Sequence, residues 1–193
     1  VQVVNETVSS RAVDTDLYVD ILQSDTVYKT YAPGQVPDKI ELPVGDYQLQ
    51  IYNEAYKSEQ AYEGKGQAIY FKENIPVTIQ AEQVTKLDSI EVPMINFGVS
   101  FSFPEEYKEA FPTCNLTVIA GERTVGNIQS GETAYFSYAE GITFNYTLSV
   151  TNTDGEEKTN GGTYGDAEDE TISAGTIYTV TYEMATRSLS VAQ

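Results

Sequence analysis

From Ile95 to Phe103 every second residue is large and apolar. Ile95, Phe97, Val99, Phe101 and Phe103 alternate with Asn96, Gly98, Ser100 and Ser102. A period of two is the signature of a half-buried strand, because successive side chains of a strand point to opposite faces. Tyr47, Leu49 and Ile51 alternate in the same way with Gln48 and Gln50, and so do Ile142, Phe144, Tyr146, Leu148 and Val150. A closing strand runs from Thr176 to Met184, with Tyr178, Val180, Tyr182 and Met184 on one face. Turn signals separate these runs at Pro33-Gly34, Val44-Gly45-Asp46, Asp154-Gly155 and Gly161-Gly162. One segment reads as helical. Pro104 stands at a helix start, Glu105 and Glu106 fill the first turn, Tyr107 and Phe111 share a face, and Pro112 ends it. The pattern predicts an all-β chain of antiparallel sandwich type with one short helix near 104–111.

The chain also repeats itself. Leu17-Tyr18-Val19 matches Leu116-Thr117-Val118, and Tyr47-Gln48-Leu49-Gln50-Ile51-Tyr52-Asn53 matches Tyr146-Thr147-Leu148-Ser149-Val150-Thr151-Asn152, both at an offset of 99. Thr78-Ile79-Gln80-Ala81 then matches Thr171-Ile172-Ser173-Ala174 at an offset of 93. Ordered matches of this kind indicate duplication. They predict two tandem sandwiches, 1–92 (with 1–14 as an extended tail) and 93–193, meeting near Val92-Pro93.

Composition removes several functions. The 193 residues contain no His, no Trp and a single Cys, and 29 acidic residues face 11 basic ones for a net charge of −18. Without His the usual general base near neutral pH and the commonest metal ligand are missing. Cys114 can form no internal disulfide or thiolate zinc cluster and reads as a structural thiol. No catalytic residue, metal site or cofactor is expected. The acidic balance argues against nucleic acid as a partner, since phosphate binding needs clustered Lys and Arg. No stretch is long and apolar enough to span a membrane. The start at Val1, with neither initiator Met nor signal pattern, reads as a trimmed mature chain whose export signal or lipid anchor would lie upstream.

The phrase Glu41-Leu42-Pro43-Val44-Gly45-Asp46-Tyr47-Gln48-Leu49 resembles the strand-turn-strand element of transthyretin-like and prealbumin-like sandwiches. Taken with Ser10-Arg11-Ala12-Val13-Asp14, Tyr62-Glu63-Gly64 and Ile95-Asn96-Phe97-Gly98-Val99-Ser100-Phe101, the chain resembles a Bacteroidetes family of exported lipoprotein domains of unknown function, akin to fimbrillin-like surface proteins. The resemblance runs from about Arg11 to Met184. It implies an exported protein at the cell surface or outer membrane, held to the membrane only through an upstream lipid anchor. It also implies two roles: an adhesin-like module, or a fimbrial subunit assembled by strand donation after cleavage at Arg11.

Among candidate site residues, Tyr56 and Tyr62 lie in the polar segment 53–66, where an aromatic platform could stack on a sugar or peptide. The alternative is that tyrosines simply cover strand edges and loops. Asp154-Gly155-Glu156-Glu157 and Asp166-Ala167-Glu168-Asp169-Glu170 lack the alternating spacing of a calcium loop and read as solvated acidic loops. Asp25-Thr26-Val27 and Asp88-Ser89-Ile90 are similar to the O-glycosylation pattern of exported Bacteroidetes proteins, which marks Thr26 and Ser89. The expected function is therefore a non-catalytic surface protein whose partner is a protein or glycan surface. Assembly with like subunits is one alternative, and a glycan hydrolase or its accessory domain is another.

Overall fold

A computed structural model describes residues 16–183 and 188–192. The tail over 1–14, Arg11, Met184 and Arg187 lie outside the described residues. By internal contacts the chain divides into two units. Residues 16–61 and Ile69–Ile95 form the first, while Tyr62–Ala68 joins residues from Asn96 onward in the second.

The first unit is built on four strands, β1 (Leu17–Gln23), β2 (Thr26–Tyr31), β3 (Gly45–Asn53) and β4 (Phe71–Ile79), in the order β2-β1-β3-β4 and wholly antiparallel. Ser24 and Asp25, both at positive φ, make the two-residue hairpin turn between β1 and β2. Ile21, Tyr31, Tyr47, Leu49 and Val77 form the core on one sheet face. Among the described residues that face is covered by coil, through Ile40, Leu42 and Ile90, rather than by a second sheet. The covering segments carry Pro33, Pro37, Pro43 and Pro93, and proline cannot donate to a ladder. Tyr47 donates its hydroxyl to the carbonyl of Pro43 at 3.0 Å, which pins the turn into β3.

The second unit is a two-sheet sandwich. It contains β5 (Phe97–Ser102), β6 (Thr113–Ala120), β7 (Arg123–Ile128), β8 (Thr133–Phe136), β9 (Phe144–Thr151), β10 (Glu157–Tyr164), β11 (Ile177–Glu183) and β12 (Ser188–Ala192). One sheet has the order β10-β9-β6-β7 and the other β12-β11-β5-β8. Phe97, Val99 and Phe101 of β5 meet Leu116, Val118, Phe144, Leu148, Tyr178 and Val180 in a single buried cluster. Ile95, the first member of the alternating run, is exposed and lies in the first unit; the strand begins at Phe97.

The all-β expectation holds, with three differences of detail. First, β5 and β11 run parallel, Gly98 opposite Ile177 through Ser102 opposite Thr181. They lie at the two ends of the unit's chain, so a long crossover joins them, and a parallel pair requires one. Second, the helix near 104–111 shrinks to a 3-10 turn at Glu105–Tyr107, because Pro104 and Pro112 leave too few residues to nucleate more. A four-residue helix, α1 (Glu54–Lys57), occurs in the first unit instead. Third, Gly161-Gly162 is not a turn but the middle of β10, paired with Thr147 and Tyr146. A Cβ on Gly161 would collide with the Tyr146 carbonyl oxygen, and one on Gly162 would sit 2.7 Å from the Tyr146 hydroxyl. Close approach, not chain reversal, calls for glycine here.

The two units share a strand order. The order β2-β1-β3-β4 in one unit parallels β7-β6-β9-β10 in the other. Register does not follow the sequence match: Leu17 faces Asn53, whereas Leu116 faces Leu148 rather than Asn152. The slip is an even number of residues, so side chains keep their faces. The segments of the third match differ in structure, since Thr78-Ile79 ends β4 while 171–174 lies outside the strands.

Candidate functional site

The face of the first unit's sheet opposite its core carries Tyr18 and Asp20 of β1, Thr30 of β2, Tyr52 of β3 and Phe71 of β4. Register brings them together: Asp20 lies opposite Thr30, Tyr18 opposite Tyr52, and Tyr52 opposite Phe71. The helix α1 follows β3 directly and lays Tyr56 and Lys57 over this row. Tyr56 stacks on Phe71 with ring centroids 4.0 Å apart, and Tyr52 stacks on Tyr18 at 5.4 Å.

Asp20 is 1% exposed. Its Oδ1 accepts from Thr30 Oγ1 at 2.8 Å and from the Tyr52 hydroxyl at 3.1 Å, and its Oδ2 accepts from Lys57 Nζ at 3.2 Å. Lys57 Nζ also donates to the Tyr52 hydroxyl at 2.8 Å and lies 4.2 Å from the Tyr52 ring centroid. The hydrogen bond that Lys57 donates to the Tyr52 hydroxyl is the largest influence on its pKa and, with Asp20, raises it and holds the amine as an ammonium ion. Burial, the largest influence on Tyr52, raises its pKa and keeps it neutral. A protonated amine is no nucleophile, and both Asp20 oxygens accept hydrogen bonds from within the cluster. The cluster binds α1 to the sheet.

Tyr56 thus has one ring face occupied by Phe71. Tyr62 belongs to the second unit and is also half-buried. Arg123 at the start of β7 donates Nη1 to the Tyr62 carbonyl, Nη2 to the Gly64 carbonyl at 2.8 Å and Nε to the Tyr135 carbonyl at 3.1 Å, with its guanidinium 5.3 Å from the Tyr62 ring. The two tyrosines therefore belong to separate units. Sequence reasoning missed Arg123, Asp20 and Lys57; an Asp inside an apolar strand was the available signal. Lysine offers no planar fork for the carbonyls. Arg123→Lys is expected to loosen Tyr62–Ala68 and speed tryptic cleavage at Lys65 about threefold or more in timed limited proteolysis.

Cys114 is partly buried against the sandwich core. Burial pushes its thiol pKa up to about 12. At pH 8 the folded chain should therefore react with iodoacetamide at least tenfold more slowly than the urea-unfolded chain, measured by intact mass. Thr26 and Ser89 are both exposed. The acidic turn at 154–157 is organised by Asn152, whose Oδ1 accepts from the backbone N–H groups of Asp154 and Glu156 at 3.0 and 2.8 Å. Among the described residues no group of three or more His, Cys, Asp or Glu could hold a metal ion, and no helix is long and apolar enough to cross a membrane.

The outer face of the sheet β12-β11-β5-β8 differs from both clusters. Ser100 and Ser102 of β5, Thr133 of β8 and Thr179 of β11 project there with Ile177, and Ser130 joins them from the turn before β8. Together they line an open depression of about 380 Å3. The hydroxyls of Ser100 and Thr179 bond each other at 2.8 Å.

A search of curated proteins finds no match. Two solved structures of candidate adhesins from Bacteroides ovatus are similar to this chain. One shares 13% identity over 78% of this chain and 76% of that chain, with a TM-score of 0.41. The other shares 11% identity over 93% and 85%, with a TM-score of 0.47. A family model described as a domain of unknown function, DUF4493, matches residues 2–192, and the chain belongs to that family.

Proposed function

We propose that the chain is a non-catalytic, adhesin-like binding module of an exported bacterial surface protein, anchored through a lipid upstream. The observation that carries this reading is the open depression on the second unit's outer sheet face, lined by serine and threonine hydroxyls with Ile177, Phe101 and Gly131 and by no ionisable group. Such a surface can recognise a ligand, and its lining residues include no base to activate a serine or threonine hydroxyl. The charged cluster at Asp20 supports the same view, since its groups are engaged with one another. The test is an array of glycans and extracellular-matrix proteins probed with the intact chain. Reproducible retention on some members is expected; uniformly blank arrays would sink the proposal.

A second reading, a structural subunit that assembles by strand donation, is favoured by β10. This eight-residue edge strand pairs with β9 in unbroken register from Glu157 to Tyr164 and is exposed at every position but the last. An open edge of that length can accept another strand. Cleavage after Arg11 should then give oligomers that grow with concentration in sedimentation velocity, and a chain that stays monomeric after the cut rules this reading out.

A further inference from the structure

We infer that the depression over β5, β8 and β11 is a subsite for a neutral carbohydrate chain. This rests on the binding role proposed above and names its ligand class and location.

Charge favours a neutral ligand. A chain with a net charge of −18 repels anionic ligands at most of its surface. None of the residues that line the depression is ionisable. Glu132, which stands in sequence between the lining residues Gly131 and Thr133, is paired with Lys65 at 3.2 Å. The Glu132 carboxyl is held in its ionised form by the Gln129 backbone N–H and by Lys65. A neutral ligand is thus neither attracted nor repelled by a fixed charge, and an anionic one gains no cation there.

Hydrogen-bonding capacity favours a polyol. Each hydroxyl offers one donor and two acceptor sites. Ser100 and Thr179 use one bond between them, and Ser130 is engaged by the backbone of Phe103, accepting from its N–H at 2.9 Å. Among the described residues, Ser102 and Thr133 make no side-chain hydrogen bond. Unspent donors and acceptors therefore lie side by side, separated across strands by about 4.8 Å. A polyol presents the same mixture of donors and acceptors, whereas a cation would need carboxylates and a phosphate would need N–H groups or cations.

Shape favours a ring with an apolar face. Gly98 sits in the floor beside the depression, and a Cβ there would lie 2.9 Å from Thr133 Cγ2 and 3.3 Å from Ile177 Cγ1. The aliphatic groups of Thr133 and Ile177 thus converge over a glycine and present an apolar patch beside the hydroxyls. A sugar ring, with polar edges and an apolar C–H face, complements that pattern.

The experiment uses the intact chain and two hydroxyl-face variants, Ser100→Ala with Thr179→Val, and Ser100→Glu. Circular dichroism first establishes that each folds. Binding is measured to immobilised dextran, mannan and β-glucan, with dextran sulfate as the anionic counterpart of dextran. The expected result is retention on at least one neutral polymer, none on dextran sulfate, and at least tenfold weaker binding by both variants. Neutral binding that is unchanged in both variants overturns the location while leaving the binding role intact. Binding to matrix proteins but to none of the polymers overturns the carbohydrate assignment alone. No binding to any glycan or protein overturns both.

Discussion

Phe97→Ala is expected to destabilise the second unit by about 3–5 kcal/mol, the usual cost of truncating a fully buried aromatic side chain. Phe97 is wholly buried. Its ring meets Phe136 at 5.7 Å, Tyr178 at 6.2 Å and Phe144 at 6.3 Å. Those partners come from β8, β11 and β9, so one ring joins both sheets of the sandwich. The cavity left by Ala would sit where neither sheet can close without moving its neighbours. Urea unfolding followed by far-UV circular dichroism measures the shift, with Ile119→Ala as the comparison. Ile119 lies on the outer face of β6 and is 42% exposed, so its loss should stay within about 0.5 kcal/mol. Equal effects from the two substitutions would mean that the sandwich is not organised around Phe97.

Lys57→Met is expected to cost the first unit about 3 kcal/mol. Removing one member of a buried ion pair typically costs about 3–5 kcal/mol because the other charge is left behind. Here the Asp20 side chain is 1% exposed while that of Lys57 is 53% exposed, which places the effect at the lower end. Thr30 and Tyr52 would still donate to the carboxylate, but no cation would remain beside it. Adding Asp20→Asn to Lys57→Met removes the stranded charge while keeping an acceptor for both hydroxyls, and should recover more than half of the loss. A double-mutant cycle measures the coupling. Near-zero coupling would show that the pair does not hold α1 to the sheet.

The same cluster sets an alkaline limit. Lys57 has a pKa raised above its ordinary 10.5, so its contribution is complete below that value and is lost as pH rises through the folded-state value. Tyr52 is raised above its ordinary 10.0 by burial, so the unfolded chain ionises first and stability falls from about that pH upward. Both effects point the same way. Tyr52→Phe removes the titrating phenol and the main support of the raised Lys57 value, so stability above pH 10 should fall less steeply in that variant.

Strand faces were legible because burial follows alternation: Phe97, Val99, Phe101 and Phe103 read correctly as core, and Ser100 and Ser102 as the opposite face. What alternation cannot encode is which strand lies next. Ser100 and Thr179 are neighbours only because β5 and β11 pair in parallel, a contact fixed by the packing of the whole unit. Asp20 was hidden for a related reason. Its place between Val19 and Ile21 marks the face opposite the core, which normally meets water, and only the arrival of Tyr52, Thr30 and α1 buries it. The helix α1 has four residues, too few for a helical period to register. The glycine pair in β10 misled because glycine serves turns and close contacts alike, and Tyr146 on the adjoining strand decides between them. Tyr56 and Tyr62 stand six residues apart, yet the chain passes from one unit to the other between them.

The most direct test of recognition through the open sheet face is an NMR titration of the intact, isotope-labelled chain. Oligosaccharides of dextran, mannan and β-glucan would be added in turn and amide shifts followed to saturation. The account predicts that at least one ligand shifts a contiguous set of amides over residues 98–102, 130–133 and 177–179, with little change around Asp20 and Tyr52. Shifts confined to the first unit, or none with any of the three at millimolar concentration, would contradict it.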